Sequence, residues 1–412
     1  MRPAALALLV ALVAVAGLYA WDPELYLRAR IAAGLKPFSP FLDLHNVMAA
    51  IECWHRGVDV YAENPCDIMG RPHIYSPLWL RIPAALAGPE LTLILGLALA
   101  VAFILSLLVL PAHEGRLARA VLVLAAVSPD TVFALERANM DVLIFVVAAL
   151  GARLLAGDLR ARIGAYALFL AVGLLKFYPL VLLGLLLRER PRVAAALVAA
   201  ALALVALAVL PLAGEFGRAL ANILPHPAFT GTFGARQLAD GLALLRPEEV
   251  ALRTLLGLLL AAVALVAVMR LATDTRLASA VGVLPRRHAD LLLVGGALVV
   301  GCFLAGQNVE YRAVFLLMTL PALLWLGRAN MLLRATAVIV VWLLWDPLVR
   351  RLVARLAPAV DDVPGLPGLA LWTLRELLWW WVVAVLAGLL AAVLRRAPAD
   401  QRASGLSASQ SA

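Results

Sequence analysis

The stretch IGAYALFLAVGLLKFYPLVLLGLLL, residues 163–187, decides the fold of this chain. It has the length and apolar content of one membrane-spanning helix, but Arg162 precedes it and Arg188 follows it. Basic residues collect on the inner side of a membrane, so a single crossing would strand one arginine cluster outside and reverse every later loop. A broken helical hairpin that returns to its own side resolves this conflict. The break belongs at residues 176–179 (KFYP), because proline removes a backbone donor and disfavours helical geometry in the residue before it.

The composition excludes an ordinary soluble domain. Of the 412 residues, 64% are hydrophobic and 15% are charged, and the mean hydropathy is +0.95. The apolar runs are rich in Leu, Ala and Val and show no alternation with a period of two, which indicates spanning helices and excludes a barrel. Arginines between these runs carry the net charge of +9, so they set orientation and we expect no nucleic-acid partner.

The apolar runs predict an all-α integral membrane protein of about ten spans plus the hairpin. The predicted spans are residues 4–20, 89–110, 117–135, 142–156, 193–213, 251–268, 291–304, 313–326, 335–345 and 371–394. Every second connection is basic, which places both termini in the cytoplasm and indicates a bacterial inner or plasma membrane. We therefore expect one transmembrane domain over residues 1–396. Residues 397–412, rich in Ala, Ser and Gln, predict a disordered inner tail.

The outward segments on this topology are residues 21–88, 128–141, the hairpin tip, 214–250, 305–312 and 346–370. Four polar knots fall in them, at residues 43–59, 136–141, 176–178 and 307–312. Ionisable groups at the lipid boundary are costly unless they pair or work, so together these knots predict one outward-facing cleft with an active site.

The first outward segment, residues 21–88, contains a predicted interfacial helix. Leu44, Val47 and Met48 begin an apolar face that recurs at helical spacing. Asp43 stands at the start of this helix, where it serves either as the helix N-cap or as a carboxylate projecting into the cleft, and the two roles are compatible.

The three cysteines show neither metal spacing nor a disulfide framework. Cys302 lies in an apolar run and is expected to be inert packing. Cys53 and Cys66 share the first outward segment, where an oxidising compartment permits a bridge. Two free thiols are the alternative that we favour from the sequence.

Several short motifs of the chain resemble one known family. In chain order they are FLDL at residues 41–44, GVDVY at 57–61, NP at 64–65, YSPL at 75–78, NMD at 139–141, KFYP at 176–179 and NVEYR at 308–312. Their order, spacing and common membrane side resemble glycosyltransferase family 87, the polyprenol-dependent, mannosyltransferase-like group with the GT-C fold. The resemblance covers roughly residues 41–326. The chain departs from the pattern in an inserted stretch, 21–40, and in His45-Asn46.

The resemblance implies an enzyme that transfers a hexose, with mannose as the expected sugar, from a polyprenyl-phosphate donor. The acceptor would be a lipid or a glycan on the outer face, and the anomeric centre would be inverted. An acidic residue after the first span is the general base in such enzymes, and Asp43 occupies the matching position.

The chemistry of the outward residues fits such a reaction. An inverting displacement needs a carboxylate to accept the acceptor's proton and positive charge where the phosphate leaves. The candidate substrate-binding residues are Lys176, Tyr178, Arg137, Asn139, His226, Arg236, Gln307, Glu310 and Arg312. Lys176 is the preferred phosphate ligand, and its alternative role is a structural ion pair with Glu136, Asp141 or Glu310. For Glu310 and Arg312, ion pairs that hold the rim of the cavity are as well supported as sugar binding. The side-chain amides of Asn139 and Gln307 could instead be hydrogen-bonded within turns.

Other functions remain open at this point. The sequence shows no nucleotide motif and no metal-ligand spacing, so we expect no cofactor and no dependence on a metal. A secondary transporter would show internal repeats, and no second copy of the Asp43 segment or the Lys176 break is found. A lipid-linked glycan ligase would need a larger outward loop, and a non-catalytic scaffold would leave both residues dispensable.

Overall fold

The computed structural model describes residues 2–33, 40–113, 115–223, 228–246, 248–356 and 364–409. Its α-helices are α1 (Arg2–Trp21), α2 (Pro23–Ala32), α3 (Leu42–His55), α4 (Thr92–Leu107), α5 (Arg116–Ala126), α6 (Pro129–Glu136), α7 (Met140–Leu155), α8 (Leu159–Lys176), α9 (Pro191–Val209), α10 (Ala213–Ala221), α11 (Gln237–Leu245), α12 (Val250–Thr273), α13 (Thr275–Gly282), α14 (Arg286–Ala305), α15 (Leu316–Leu326), α16 (Met331–Leu344), α17 (Asp346–Leu356) and α18 (Leu366–Ser409). The 3₁₀ helices are Pro77–Arg81, Ala84–Leu86, Pro89–Leu91, Tyr178–Arg188, Leu210–Leu212 and Glu310–Phe315.

Six helical segments of the described chain are long and apolar enough to cross a membrane, and two bent pairs raise the number to eight. The bent pairs are α5 with α6, at 41°, and α16 with α17, at 63°. The remaining two of the ten predicted spans, residues 142–156 and 313–326, lie on α7 and α15, which have only 16 and 11 residues. The architecture is therefore that of an all-α membrane protein, with fewer full-length spans than the sequence predicts.

The predicted break in residues 163–187 is present. α8 ends at Lys176, and Phe177 has a positive φ of 53°, which takes the chain out of helical geometry. The chain then turns back, because Arg162 Nε lies 2.8 Å from Glu189 Oε1. The returning limb is a 3₁₀ helix, Tyr178–Arg188, not the α-helix that we expect from its sequence. Its longer rise per residue lets 11 residues cover roughly 22 Å, the length of about 15 α-helical residues in α8.

The core lies around α7, α14, α15 and α18, whose facing residues form one apolar cluster. Phe103 of α4 packs on Phe145 of α7 with their ring centroids 4.6 Å apart. Over the spanning window of α14, 72% of the residues are buried, whereas none is buried in the window that contains α9. α7, α14, α15 and α18 thus occupy the centre of the bundle, and α9 lies at its periphery.

The first loop, between α2 and α4, differs from the sequence prediction in two ways. α3 buries residues on most of its faces, Asn46 and Ala49 among them, so it packs inside the loop and lacks the one-sided apolar face that the sequence predicts. Cys53 and Cys66 form a disulfide bond, and the expectation of two free thiols is wrong. Cys302 is a buried free cysteine, as predicted.

Two smaller features were not predicted. An antiparallel two-stranded ribbon joins β1 (Thr232–Phe233) to β2 (Asn308–Val309). α18 continues to Ser409, through most of the tail for which the composition predicts disorder. Ala, Arg and Gln in this stretch are good helix formers, so the helix extends beyond its apolar part.

Candidate active site

The backbone brings the start of α3 to the turn between α6 and α7. Phe41 N donates to the carbonyl of Glu136 at 2.5 Å, and Asp43 N donates to the carbonyl of Arg137 at 3.1 Å. Two residues with positive φ, Phe41 at 59° and Ala138 at 43°, make the sharp turns that this approach needs. The Asp43 side chain therefore lies directly against the turn that carries the second polar knot.

Asp43 is 5% exposed and is bound by three side chains. Arg137 donates to both carboxylate oxygens, with Nε 3.0 Å from Oδ2 and Nη2 in contact with Oδ1. Asn139 Nδ2 lies 2.6 Å from Oδ2, and Arg71 Nη1 lies 3.5 Å from Oδ1. Phe41 occupies the N-cap position of α3 without a side-chain bond, so the N-cap role proposed for Asp43 is wrong.

Asp141, in the first turn of α7, is the centre of a second ion cluster. Lys176 Nζ lies 2.7 Å from Oδ1, Arg312 Nε lies 3.2 Å from Oδ2, and the hydroxyl of Tyr178 donates to Oδ1 at 2.5 Å. Asp141 is fully buried, so these three donors supply the partners that water would otherwise provide. Of the three pairing partners considered for Lys176, Asp141 is the one observed, and this pair leaves its predicted phosphate role untested.

Asn139 connects the two clusters through its side-chain amide. Its Nδ2 donates to Asp43, and its Oδ1 accepts from Lys176 Nζ at 2.7 Å. The same Oδ1 accepts from the backbone N of Asp141 at 3.0 Å, which caps α7. These two contacts and the width of an amide group together place Asp43 Oδ2 and Lys176 Nζ at most roughly 7.6 Å apart.

The joined clusters carry an excess of positive charge. Arg71, Arg137, Lys176 and Arg312 face the carboxylates of Asp43, Asp67 and Asp141. The arginine side chains are partly exposed, with Arg71 at 28% and Arg312 at 22%. An anion that enters from solvent therefore meets guanidinium groups first.

Three of the predicted site residues lie outside these contacts. Glu310 pairs with Arg350 of α17, and Gln307 Nε2 donates to Gln237 Oε1 at 2.9 Å. Arg236 is exposed at the start of α11, and His226 lies outside the described residues. The pairing of Glu310 is the rim role that the sequence left open.

Arg71 is the site residue that the sequence analysis missed. Its Nε and Nη2 bind the Asp67 carboxylate at 2.9 and 2.8 Å, and its Nη2 also donates to the carbonyl of Leu42 at 2.8 Å. The signal in the sequence was the spacing of Asp67 and Arg71 by four residues just after Cys66. It becomes informative only when the disulfide with Cys53 is known.

Burial shapes the acid–base properties of this loop. Burial alone would raise the pKa of Asp67, but hydrogen bonds from Arg71 and the backbone outweigh it and hold that pKa below its ordinary value. Burial lowers the pKa of His73 to about 4, although a bond to the carbonyl of Ser76 partly opposes it. His73 is therefore neutral at physiological pH.

No protein-family model, curated protein or solved structure matches this chain. Within the described ranges, no group of three or more His, Cys, Asp or Glu side chains is placed to hold a metal ion. A carboxylate beside several cations can accept a proton from a hydroxyl while the cations stabilise a phosphate.

Proposed function

We propose that this protein is a membrane glycosyltransferase that moves a hexose, with mannose as the expected sugar, from a polyprenyl-phosphate donor to a lipid or glycan acceptor. The observation that carries the proposal is the amide of Asn139, which binds the Asp43 carboxylate on one side and the Lys176 ammonium on the other. An anionic base and a cationic phosphate ligand thus face one small region from two sides.

The reaction follows from this spacing. The acceptor hydroxyl gives its proton to Asp43 while its oxygen attacks the anomeric carbon from the face opposite the phosphate. The bond from that carbon to the phosphate oxygen breaks, and the electron pair leaves with the polyprenyl phosphate. Lys176 and Arg312 stabilise the charge that develops on this leaving group. The amide of Asn139 fills the direct line between Asp43 Oδ2 and Lys176 Nζ, so the reacting atoms would lie beside this amide, within reach of both groups.

The free donors of the site agree with a phosphate ligand. An ammonium group has three N–H donors, and Lys176 uses two of them for Asp141 and Asn139. Arg312 binds Asp141 through Nε and Asn308 through Nη1, and its side chain is 22% exposed. Both groups keep donor capacity for a phosphate while their carboxylate and amide partners fix their positions.

The membrane orientation is part of the proposal. We place both termini in the cytoplasm of a bacterial cell, with ten spans that include α7 and α15, and with the site open to the outer face. The arginine-rich connections support this orientation, and so does the disulfide in the first loop, since such bonds persist in oxidising compartments.

The test is a transfer assay with purified protein in lipid vesicles. Polyprenyl-phosphate mannose, glucose and arabinose serve as donors, and a lipid extract of the producing cells serves as the acceptor source. We expect transfer by the wild type and a loss of about 10²- to 10⁴-fold in Asp43→Asn, because a general base contributes that much. Lys176→Ala should lose activity as well.

Asp59→Asn is the matched control for this experiment. Asp59 lies in the same loop as Asp43, is 49% exposed and pairs with Arg218. Asp59→Asn should transfer sugar at the wild-type rate. Undiminished turnover by Asp43→Asn would remove Asp43 as the base, and a wild type that uses none of the donors would favour a transporter, a glycan ligase or a scaffold.

A further inference from the structure

An arm of the first loop, residues 66–71, runs back along α3 to the candidate base. The disulfide ties Cys66 to Cys53, near the C-terminal end of α3. Asn46 Nδ2, in the second turn of α3, donates to the carbonyl of Arg71 at 3.2 Å. The arm therefore ends beside Asp43, at the N-terminal end of the same helix.

Arg71 holds its position without help from Asp43. Asp67 binds two of its nitrogens, and the carbonyl of Leu42 accepts from it at 2.8 Å. Asp67 is fixed in turn, since Oδ2 accepts from the backbone N of Met69 and of Arg71 at 3.2 and 3.0 Å. The guanidinium is thus preorganised by the arm itself.

The contact between Arg71 and Asp43 is the weakest that the carboxylate makes. At 3.5 Å it is longer than the contacts with Arg137 and Asn139. Arg71 is 28% exposed and Arg137 is 12% exposed, so Arg71 borders the more open side of Asp43. A hydroxyl that approaches Oδ1 from solvent replaces this long contact and leaves the Arg137 clamp intact.

We propose that Arg71 binds the acceptor, donating from Nη1 to the attacking hydroxyl oxygen while that hydroxyl donates to Oδ1 of Asp43. This inference rests on the proposed transferase function. When the new bond to the anomeric carbon forms, the hydroxyl proton passes to Asp43 and the electron pair of the broken bond leaves with the phosphate. The covalent link between Cys53 and Cys66 keeps the arm, and with it Arg71, in register with α3.

The experiment separates acceptor binding from donor binding. Transfer rates are measured in vesicles with polyprenyl-phosphate mannose as the donor and increasing amounts of the lipid extract, and donor binding is measured without the extract. A hydrogen bond from a charged group contributes about 10- to 150-fold. Arg71→Ala should therefore raise the KM for the extract or lower the rate by that factor, while donor Kd stays within about twofold of the wild type.

Arg71→Lys and Arg56→Ala complete the set. Lysine retains one donor and should restore part of the rate, which a merely structural role would not predict, and it keeps the test valid if Arg71→Ala unfolds. Arg56 lies in the same loop, is 65% exposed and pairs with Glu52, so Arg56→Ala should behave as the wild type.

Three results would overturn the inference. If the wild type is active and both Arg71 variants keep its rate and its KM for the extract, the role of Arg71 is refuted and the proposed function stands. The same holds if the variants weaken donor binding as much as they lower the rate. A wild type that turns over none of the donors overturns the proposed function and this inference together.

Discussion

Replacing Asn139 by serine tests the link between base and phosphate ligand. Serine caps a helix as well as asparagine does, so the start of α7 is retained. The side chain is too short to bind Asp43 and Lys176 together, and the contacts of 2.6 and 2.7 Å are lost. Only the bridge is removed.

The size of the effect follows from these contacts. Hydrogen bonds to charged groups contribute about 1.5–3 kcal/mol each, and Asp43 and Lys176 keep their other partners, so we expect Asn139→Ser to lower the free energy of unfolding by about 2–4 kcal/mol. Asn139→Ala also loses the cap and should lower it by about 1 kcal/mol more. Turnover should fall about 10²-fold in both variants, because a displacement of about 1 Å costs that much.

The assay combines thermal unfolding in detergent with the sugar-transfer measurement. Asn330→Ser is the matched control, since Asn330 caps α16 through a bond from Leu333 N at 3.3 Å and lies outside the ion clusters. It should transfer sugar within about twofold of the wild type, because a serine cap is equivalent. Wild-type turnover in Asn139→Ser, alongside an inactive Asp43→Asn, would refute the argument that base and cation must be joined.

Two further predictions concern the first loop and the rim. The pKa of His73 is about 4 in the folded loop, so below about pH 6.5 the unfolded chain binds a proton that the folded loop does not. The contribution of His73 to the free energy of unfolding is therefore complete above about pH 6.5 and falls by about 3 kcal/mol as the pH decreases to 4. Unfolding curves between pH 7 and 4 measure this loss, and His73→Phe should abolish it. An equal loss in His73→Phe would contradict the assignment to His73. Glu310→Gln should keep the wild-type rate and KM in the transfer assay, since Glu310 pairs with Arg350 and not with the residues around Asp43. A tenfold loss of rate would show that Glu310 contributes to the site.

The hairpin could be predicted because its signals are local. Proline at residue 179 and the arginines on both sides act within a few residues of the break, and the observed turn follows them. The 3₁₀ geometry of the returning limb was not predictable in this way. It depends on packing against α8, where Gly173 admits the side chain of Leu180 so closely that an added Cβ would overlap it.

The candidate site was predictable in part. Membrane sidedness grouped Asp43, Asn139 and Lys176, and the structure brings these three together. Membrane sidedness could not separate Glu310 from Arg312. The 3₁₀ turn that contains both residues directs Glu310 to α17 and Arg312 to α7, and this turn is known only from the structure. Nor could membrane sidedness find the arm that carries Arg71, which depends on a disulfide that the sequence left undecided.

The disulfide-linked arm also sets the order in which this site can form during synthesis. The partners of Asp43 in the turn between α6 and α7 follow it by 94 and 96 residues, and Arg312 follows Asp141 by 171 residues. Arg71 follows Asp43 by only 28 residues. The nascent chain therefore contains a cation for the carboxylate long before the rest of the bundle leaves the ribosome, and the first loop can form its disulfide and its contact to Asp43 while later helices are still being synthesised.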